Sequence, residues 1–356
     1  MSFSTFTPTS TAEEVATALT EEIKDKNGRF CFMHNVSNAS PLYAVLITGT
    51  SINRLGFEVA RVIAKHANLV IITGYNAERL RLSEEAIKNE TPHANIRKLQ
   101  IDLSSLASVR RAATEVISWS EPIHVRCDDP QRRGLHRRLQ ADCGQSRGSD
   151  RHRPPFLFTK LILGKIFAAG SSGYIPRVVF LSSSVHAAGT GVDLEQLEHP
   201  VAEKHTALSA YFAAKAAAVI DAIELSKRSK GKINAYSVSP GAIFTNISQK
   251  EESQADFKAA GMLTADGQPN MQAFNWKGIP EGAATTVMAA FDPRLDGELF
   301  VRRYSQLMSL APAVPGAYID ETVVANENIA PHSSDPANGA KLWEVTERII
   351  GEKFTF

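Results

Sequence analysis

The chain has 356 residues, of which 43% are apolar, and a formal charge of +1 at pH 7. This balance is typical of a globular protein with a sizeable core, and so small a net charge indicates no special class of charged partner. No run approaches the roughly 20 apolar residues of a membrane span, and the polar N-terminal residues do not resemble a secretory signal, so we expect a cytoplasmic protein.

The first predicted element is a surface helix over residues 11–26, where a Thr cap and an acidic first turn precede apolar residues at helical spacing. The apolar run "VLIT" then enters a turn that holds Gly49 and Gly56. A helical pattern to about His66 and a second apolar run, "LVIIT", come next. Strand, turn, helix and strand in this order are typical of the βαβ unit of a parallel sheet.

The alternation of helix and strand continues along the chain. The further predicted elements are a helix over 77–90, the strand "IRKLQIDL", the helix "SLASVRRAATEVISW", a helix over 157–169, the strand "RVVFLSS" at 177–183, a helix over 209–229 and the strand "INAYSVS" at 233–239. At least five strands separated by helices predict one doubly wound parallel sheet, a Rossmann-like α/β fold in a single domain, with a helical and irregular part after residue 245.

The turn "TGTSINRLG", from Thr48 to Gly56, is the first candidate for chemistry. Glycines at the mouth of a strand let the backbone approach a pyrophosphate, whose charge the amides and dipole of the next helix stabilise. Glycine turns also join strands to helices in many proteins. The turn alone therefore leaves a purely structural role open.

Two later motifs add reactive side chains. Ser183 follows a strand in "SSSVHAAG", and Tyr211 and Lys215 lie four residues apart on one face of a predicted helix. An ammonium beside a phenol lowers the phenol's pKa, so that it can exchange a proton with a substrate oxygen held by a nearby hydroxyl. A Tyr and a Lys at this spacing are usually a surface coincidence. The glycine turn upstream and "SPGAIFT" downstream favour catalysis here.

Together these motifs resemble those of the short-chain dehydrogenase/reductase superfamily, and within it the retinol-dehydrogenase-like members found in fungi. The resemblance implies an enzyme that interconverts an alcohol and a carbonyl by hydride transfer with a nicotinamide. It implies Tyr211 as general acid/base, Lys215 as the residue that orients the nicotinamide ribose and assists Tyr211, and Ser183 as the residue that positions the carbonyl. The cofactor-binding residues that follow from it are Thr48, Gly49, Arg54, Leu55, Gly56, Asp102, Tyr211, Lys215, Pro240, Gly241, Ile243 and Thr245.

Arg54 stands where the family has a middle glycine, in a turn that is one residue longer than usual. An arginine there weakens a contact with pyrophosphate or, alternatively, reaches a 2′-phosphate. The second strand ends in "TGYN", without the acidic residue that holds a free ribose 2′-hydroxyl. We therefore predict NADP(H) in preference to NAD(H).

The resemblance divides the single domain into three parts. Residues 1–44 hold the first helix and an insertion, residues 45–245 form the dinucleotide-binding catalytic core, and residues 246–356 form a cap over the substrate and the C-terminal region. Phe, Met and Trp residues in 246–276 favour a small lipophilic substrate, and fungal secondary metabolism is an interpretation by analogy. We predict no metal, no nucleic acid and no membrane span, and leave a homo-oligomer open.

The region 125–155 departs from the family, which has a central strand ending in Asn-Asn-Ala-Gly there. A central parallel strand is buried on both faces, so we expect "RCDDPQRRG" not to fill it. Reading the codons one base later permits Val or Ala at 126 and 127 and Met or Thr at 128. We therefore interpret residues 126–154 as a frame-shifted translation.

Two other segments, 28–44 and 297–314, are longer than in the family and have the size of retained introns. Genuine loop insertions are the alternative, and the apolar stretch of the second could form a dimer contact or a membrane-seeking element. The three cysteines, Cys31, Cys127 and Cys143, all lie in these anomalous segments. They contain no CxxC pair, so they predict neither a disulfide framework nor a zinc site.

Two alternative functions follow from the region 126–155. If it lacks the central strand and an active-site asparagine, the chain is a catalytically impaired relative of the family. Its eight arginines could instead bind nucleic-acid phosphates. However, it has no aromatic residues for base stacking and carries four aspartates, so nucleic-acid binding is the weaker interpretation.

Overall fold

The fold is described from a computed structural model, which covers residues 6–23, 44–128, 153–171, 174–199, 201, 207–244, 251–259, 261–296 and 315–356. Ten strands are found in these residues: β1 (Ala44–Ile47), β2 (Leu69–Gly74), β3 (Ile96–Gln100), β4 (Val125–Asp128), β5 (Arg177–Leu181), β6 (Asn234–Ser239), β7 (Ala242–Ile243), β8 (Trp276–Lys277), β9 (Tyr318–Asp320) and β10 (Val323–Val324).

Eight of these strands form one sheet in the order β10-β9-β6-β5-β4-β1-β2-β3, and β7 and β8 form a separate pair. All neighbours in the large sheet run parallel except β9 and β10. The central strands are buried on both faces, as continuous apolar runs such as "AVLI" of β1 require. The predicted doubly wound α/β fold is confirmed.

Helices cover both faces of the sheet. They are α1 (Ala12–Ile23), α2 (Leu55–Ile63), α3 (Ala77–Glu90), α4 (Leu106–Ser118), α5 (Arg153–Leu161), α6 (Leu163–Phe167), α7 (Leu194–Glu198), α8 (Ala207–Ser229), α9 (Glu251–Ala259), α10 (Ile279–Phe291), α11 (Pro331–Ser334) and α12 (Pro336–Ile350). One apolar core lies under α1, α2, α3 and α10, and a second lies under α4, α5, α6, α8 and α12. None of the described helices is long and apolar enough to cross a membrane.

The expectation that "RCDDPQRRG" cannot fill a central strand was wrong for its first three residues. β4 pairs with β1 on one side and β5 on the other. Val125 and Cys127 enter the core under α2 and α10, while Arg126 and Asp128 are buried as an ion pair at 2.5 Å. The argument for an impaired enzyme therefore loses the missing strand. Residues 129–152 lie outside the described residues, and the frame-shift interpretation stays a prediction.

The C-terminal part contains more sheet than the sequence indicated. We expected only helical and irregular structure after residue 245, but β9 adds a parallel strand beside β6 and β10 adds an antiparallel edge. These strands have only three and two residues, too short for a period-2 pattern to stand out. Ala44, which we assigned to an insertion, is the first residue of β1. The rest of that insertion and residues 297–314 lie outside the described part of the chain.

Candidate active site

Four parallel strands, β1, β4, β5 and β6, bring their carboxyl ends to the same edge of the sheet. In open α/β sheets this edge is where ligands bind. The predicted glycine turn follows β1, Ser183 follows β5, and Pro240 and Gly241 follow β6. The fold therefore places these motifs, which are far apart in the sequence, at the same edge of the sheet.

The glycine turn is fixed to the two strands beside it. The Thr48 hydroxyl donates to Asp128 Oδ1 at 3.3 Å, and the Thr50 hydroxyl donates to the Thr73 carbonyl at 3.1 Å. Gly49 has a φ of +73°, which favours glycine. A Cβ at Gly56 would lie 2.5 Å from the Thr48 carbonyl oxygen. The first turn of α2 can thus pack on the turn after β1 only because residue 56 has no side chain.

Arg54 precedes α2 and adopts an extended backbone, with φ −129° and ψ 159°. Besides Gly49, the left-handed residue of this turn is Asn53, at φ 62°. Position 54 therefore needs no glycine for its backbone conformation. Leu55 is buried, and the partly exposed Arg54 brings a positive charge to the N-terminus of α2, where anions bind in other proteins.

Asp102, one of the predicted cofactor-binding residues, follows β3. Its Oδ1 accepts hydrogen bonds from the Ser104 backbone N–H at 2.8 Å and from the Ser104 hydroxyl at 2.5 Å. Its own backbone N–H donates to Ser108 Oγ, in the first turn of α4, at 3.0 Å. Asp102 is therefore held in a defined place beside the N-terminus of α4.

Lys215 connects α8 to the end of β5. Its side chain is only 7% exposed, and its Nζ donates to the Leu181 carbonyl at 2.8 Å. The same Nζ lies 5.7 Å from the centroid of the Tyr211 ring, one helical turn away. In the opposite direction, the Ser182 hydroxyl donates to the Lys215 carbonyl at 2.8 Å. The ammonium is thus held between the Tyr211 ring and the strand that leads into Ser183.

Ser183 begins a 3-10 turn, Ser184–Ala187, directly after β5. Its Oγ accepts a hydrogen bond from the Val185 N–H at 3.4 Å, which leaves the hydroxyl hydrogen for another acceptor. The next residue is tied to β6, because the Ser184 N–H donates to Ser239 Oγ at 3.1 Å. The sequence did not mark Ser182 and Ser239 as parts of this arrangement, since single serines carry no pattern of their own.

The segment after β6 contains the predicted Pro240, Gly241 and Ile243. Gly241 has a φ of +84°, and a Cβ there would meet Glu321 Oε1 at 2.7 Å. Glu321 in turn forms an ion pair with Lys277. Ile243 belongs to β7, which pairs with β8. Thr245 lies outside the described residues, so its predicted role stays a prediction.

Within the described parts of the chain, no group of three or more His, Cys, Asp or Glu side chains could hold a metal ion. The arginines of the anomalous region that are described do not form an exposed basic surface. Arg126 is fully buried and Arg153 is nearly so, with Nη2 of Arg153 donating to the Leu197 carbonyl at 2.5 Å. The other arginines of that region lie outside the described residues.

Comparisons with known proteins give a consistent set of relatives. The chain is 32% identical over 320 residues to the chloroplastic short-chain dehydrogenase TIC 32 B of Brassica napus, covering 88% of this chain and 90% of that protein. It is 28% identical over 208 residues to mouse retinol dehydrogenase 13, covering 58% and 60%. A solved short-chain dehydrogenase of Shigella flexneri 2a strain 301, complexed with NADP, has a TM-score of 0.52 at 19% identity and covers 79% of this chain and 98% of that one. No family model matches the chain.

Proposed function

We propose a reaction from the premise that the chain belongs to the short-chain dehydrogenase/reductase family, whose members are oxidoreductases acting on CH–OH and C=O groups. The reaction is the NADP(H)-dependent interconversion of an alcohol and a carbonyl on a small lipophilic molecule. The observation that carries the proposal is the buried Lys215 ammonium, held between the Tyr211 ring and the end of β5 beside Ser183.

The residues around the glycine turn fit a dinucleotide. The missing side chain at Gly56 lets the N-terminus of α2 pack directly on the turn after β1, and Arg54 adds positive charge at that N-terminus. A carboxylate at the end of β2 would repel a 2′-phosphate. The residues there are Tyr75 and Asn76, and neither carries a carboxylate. The Shigella flexneri protein is solved with NADP, which supports the same choice of cofactor here. When bound, NADP(H) supplies or accepts the hydride.

The side chains of this chain handle the proton. Ser183 accepts from Val185, so its hydroxyl hydrogen can donate to the carbonyl oxygen of a substrate. Tyr211 gives its phenolic proton to that oxygen during reduction and takes it back during oxidation. The Lys215 ammonium near the Tyr211 ring favours the phenolate that remains after the proton has left.

Aromatic residues support a lipophilic substrate. The ring of Trp276 packs edge-on against Phe244 and Phe274, with centroids 6.0 and 6.3 Å away. Met271, in the same segment, is 69% exposed. These side chains follow the Pro240–Gly241 motif and offer apolar surface near the edge of the sheet where ligands bind. The similarity to a retinol dehydrogenase supports the same class of substrate, and the cytoplasm and fungal secondary metabolism remain predictions from the sequence.

The test is NADPH consumption by the full chain with a panel of lipophilic aldehydes and ketones, followed by absorbance. We expect turnover by the unchanged protein and a fall in kcat of at least about 100-fold in Tyr211→Phe, because that variant loses the proton donor. NADPH-induced thermal stabilisation should persist in Tyr211→Phe. Tyr174→Phe is the matched control, since the Tyr174 hydroxyl donates to the His124 carbonyl away from the site.

Two results would count against the proposal. The first is NADPH binding without turnover of any carbonyl or, in the reverse direction, any alcohol, which would indicate the catalytically impaired relative. The second is equal kcat in Tyr211→Phe and in the unchanged protein.

A further inference from the structure

His186 is a buried histidine three residues after Ser183. It lies in the 3-10 turn after β5 and is only 1% exposed. Its ring is 4.8 Å from the ring of Tyr318 in β9, centroid to centroid. The proton transfer proposed above does not use this side chain, although it lies in the turn that directly follows Ser183.

The hydrogen bonds of His186 fix its protonation state. Nδ1 lies 2.9 Å from the Ser183 carbonyl oxygen, and because a carbonyl can only accept, Nδ1 carries the hydrogen. Nε2 accepts a hydrogen bond from the Ala330 N–H at 3.3 Å, so it carries none. Both ring nitrogens are engaged, and a donor at Nδ1 with an acceptor at Nε2 is the pattern of the neutral imidazole.

The Ser183 carbonyl receives two donors from the same residue. Besides the ring Nδ1, the His186 backbone N–H donates to it at 3.0 Å. Since a carbonyl oxygen has two lone pairs, both are occupied. The orientation of the peptide that follows Ser183 is therefore set by His186.

A second contact holds the same turn to the C-terminal segment. His332 Nε2 donates to the His186 carbonyl at 2.9 Å. His332 packs against Gly191, which has a φ of +83° and where a Cβ would lie 2.7 Å from His332 Cδ2. The turn after β5 is thus hydrogen-bonded to Ala330 and His332, two residues that are far from it in the sequence.

The surroundings of His186 also favour the neutral ring. Burial lowers the pKa of His186, and the nearby His332 lowers it further. The Ser183 and Asn328 backbones and Asp320 in β9 act in the opposite direction without reversing the fall.

We propose that His186 is a positioning residue for Ser183, which it orients by linking the Ser183 carbonyl to the Ala330 amide. This inference rests on the proposed function of Ser183, and His186 itself is buried and takes no part in the proposed proton transfer. Its effect is to hold the Ser183 hydroxyl in one direction while the substrate carbonyl is bound. The C-terminal segment thereby contributes to the geometry of a site at the end of β5.

The test compares His186→Leu with His186→Asn. Leucine removes both ring hydrogen bonds, whereas the asparagine amide nitrogen lies near the position of Nδ1 and can still donate to the Ser183 carbonyl. We expect kcat to fall about 10- to 100-fold in His186→Leu, as small displacements of reacting groups do, with the KM for NADPH unchanged. His186→Asn should restore most of that loss.

A Ser183→Ala background makes the test specific. If His186 acts through Ser183, His186→Leu should change kcat by less than about twofold when Ser183 is already alanine, because coupled residues are not additive. An undiminished effect of His186→Leu in that background would overturn the inference. So would equal kcat in His186→Leu and the unchanged protein.

Amide hydrogen exchange gives a readout that does not need turnover. We expect faster exchange at Ser184–His186 and at Ala330 in His186→Leu, and faster exchange at Ala330 alone in His186→Asn. If the unchanged protein turns over no substrate, the proposed function fails, but exchange still decides whether His186 holds the turn. Unchanged exchange at Ser184–His186 in His186→Leu would overturn the positioning role. His124 is another buried histidine, and the variant His124→Leu serves as the control for a general loss of stability.

Discussion

Strands β1 and β4 lie side by side in the middle of the sheet but are built from different chemistry. Leu46 of β1 is opposite Arg126 of β4, and both side chains are 0% exposed. Leu46 packs among apolar side chains of the core under α4 and α5. Arg126 is buried next to Leu46 in the same part of the sheet, but its side chain carries a charge. The comparison shows that a central position of a parallel sheet can be filled by apolar packing or by a buried ion pair.

Arg126 has several partners at once, although its buried Nε makes no hydrogen bond. Its Nη2 pairs with Asp128 Oδ2 at 2.5 Å and donates to the Pro155 carbonyl at 3.2 Å, while its Nη1 donates to the Thr159 hydroxyl. The guanidinium also lies 5.2 Å from the centroid of the Phe158 ring. Burial raises the pKa of Asp128, and Arg126 opposes that rise. Two residues of β4 and three of α5 are therefore committed to one charge.

The largest expected effect comes from breaking this pair. Arg126→Ala leaves Asp128 buried without its partner, so we expect the free energy of unfolding in urea to fall by about 3 to 5 kcal/mol. The double variant Arg126→Val with Asp128→Thr, which the shifted reading frame permits, should be at least as stable as the unchanged chain, because apolar replacement of a buried ion pair is often neutral or stabilising. A double variant less stable than Arg126→Ala would contradict the comparison.

A slightly smaller loss is expected on the apolar side. Leu46→Ala leaves a cavity beside Arg126, and we expect it to lower the free energy of unfolding by about 3 kcal/mol. Unlike the loss in Arg126→Ala, this loss should not be relieved by a change at Asp128. A stability gain for Asp128→Asn in the Leu46→Ala background would show that the two positions do not differ as described.

The smallest effect concerns pH and the residue that leads into β4. His124 Nδ1 accepts from the Ala44 N–H at 3.3 Å, and burial lowers the pKa of His124 to about 4. Because the pKa in the unfolded chain is about 6.5, the unfolded state binds the proton first and stability is lost as pH falls below that value. Between pH 7.5 and 5.0 this amounts to about 2 kcal/mol.

Urea unfolding at the two pH values tests this expectation, with His124→Asn as the comparison because its amide does not titrate. The unchanged chain should lose about 2 kcal/mol more than His124→Asn over this range. Equal losses in the two proteins would indicate that His124 is not held neutral at the start of β4.

The fold was predictable where local patterns were complete. The unit from "VLIT" to "LVIIT" carries both strands, the glycine turn and the helix, and the structure has all of them. β4 was not predictable, because its burial depends on Thr159 and Pro155 of α5, whose oxygens accept hydrogen bonds from Arg126 only after the chain has folded. β9 was missed because its pairing with β6 is non-local, and β10, which pairs with β9, has only two residues.

The candidate site shows the same division. Ser183, Tyr211 and Lys215 stand in recognisable motifs, and their placement after β5 and on α8 follows from the order of the elements. The contact of Lys215 with Leu181 and that of His186 with Ala330 join residues that no spacing connects. The extended backbone of Arg54 and the left-handed conformation of Asn53 could not be foreseen either, since neither residue type fixes its own backbone conformation.

The place of β4 in the strand order has a consequence for how the sheet assembles. Within the described sheet, β4 alone joins β1, β2 and β3 to β5, β6, β9 and β10. The strands of each half can pair with one another without β4. The two halves join only when β4 is inserted between β1 and β5, which requires closure of the connecting chain and burial of the Arg126 guanidinium. Desolvation of the Arg126–Asp128 pair is therefore part of the step that completes the sheet, so the final docking of its halves depends on ionic chemistry as well as on apolar collapse.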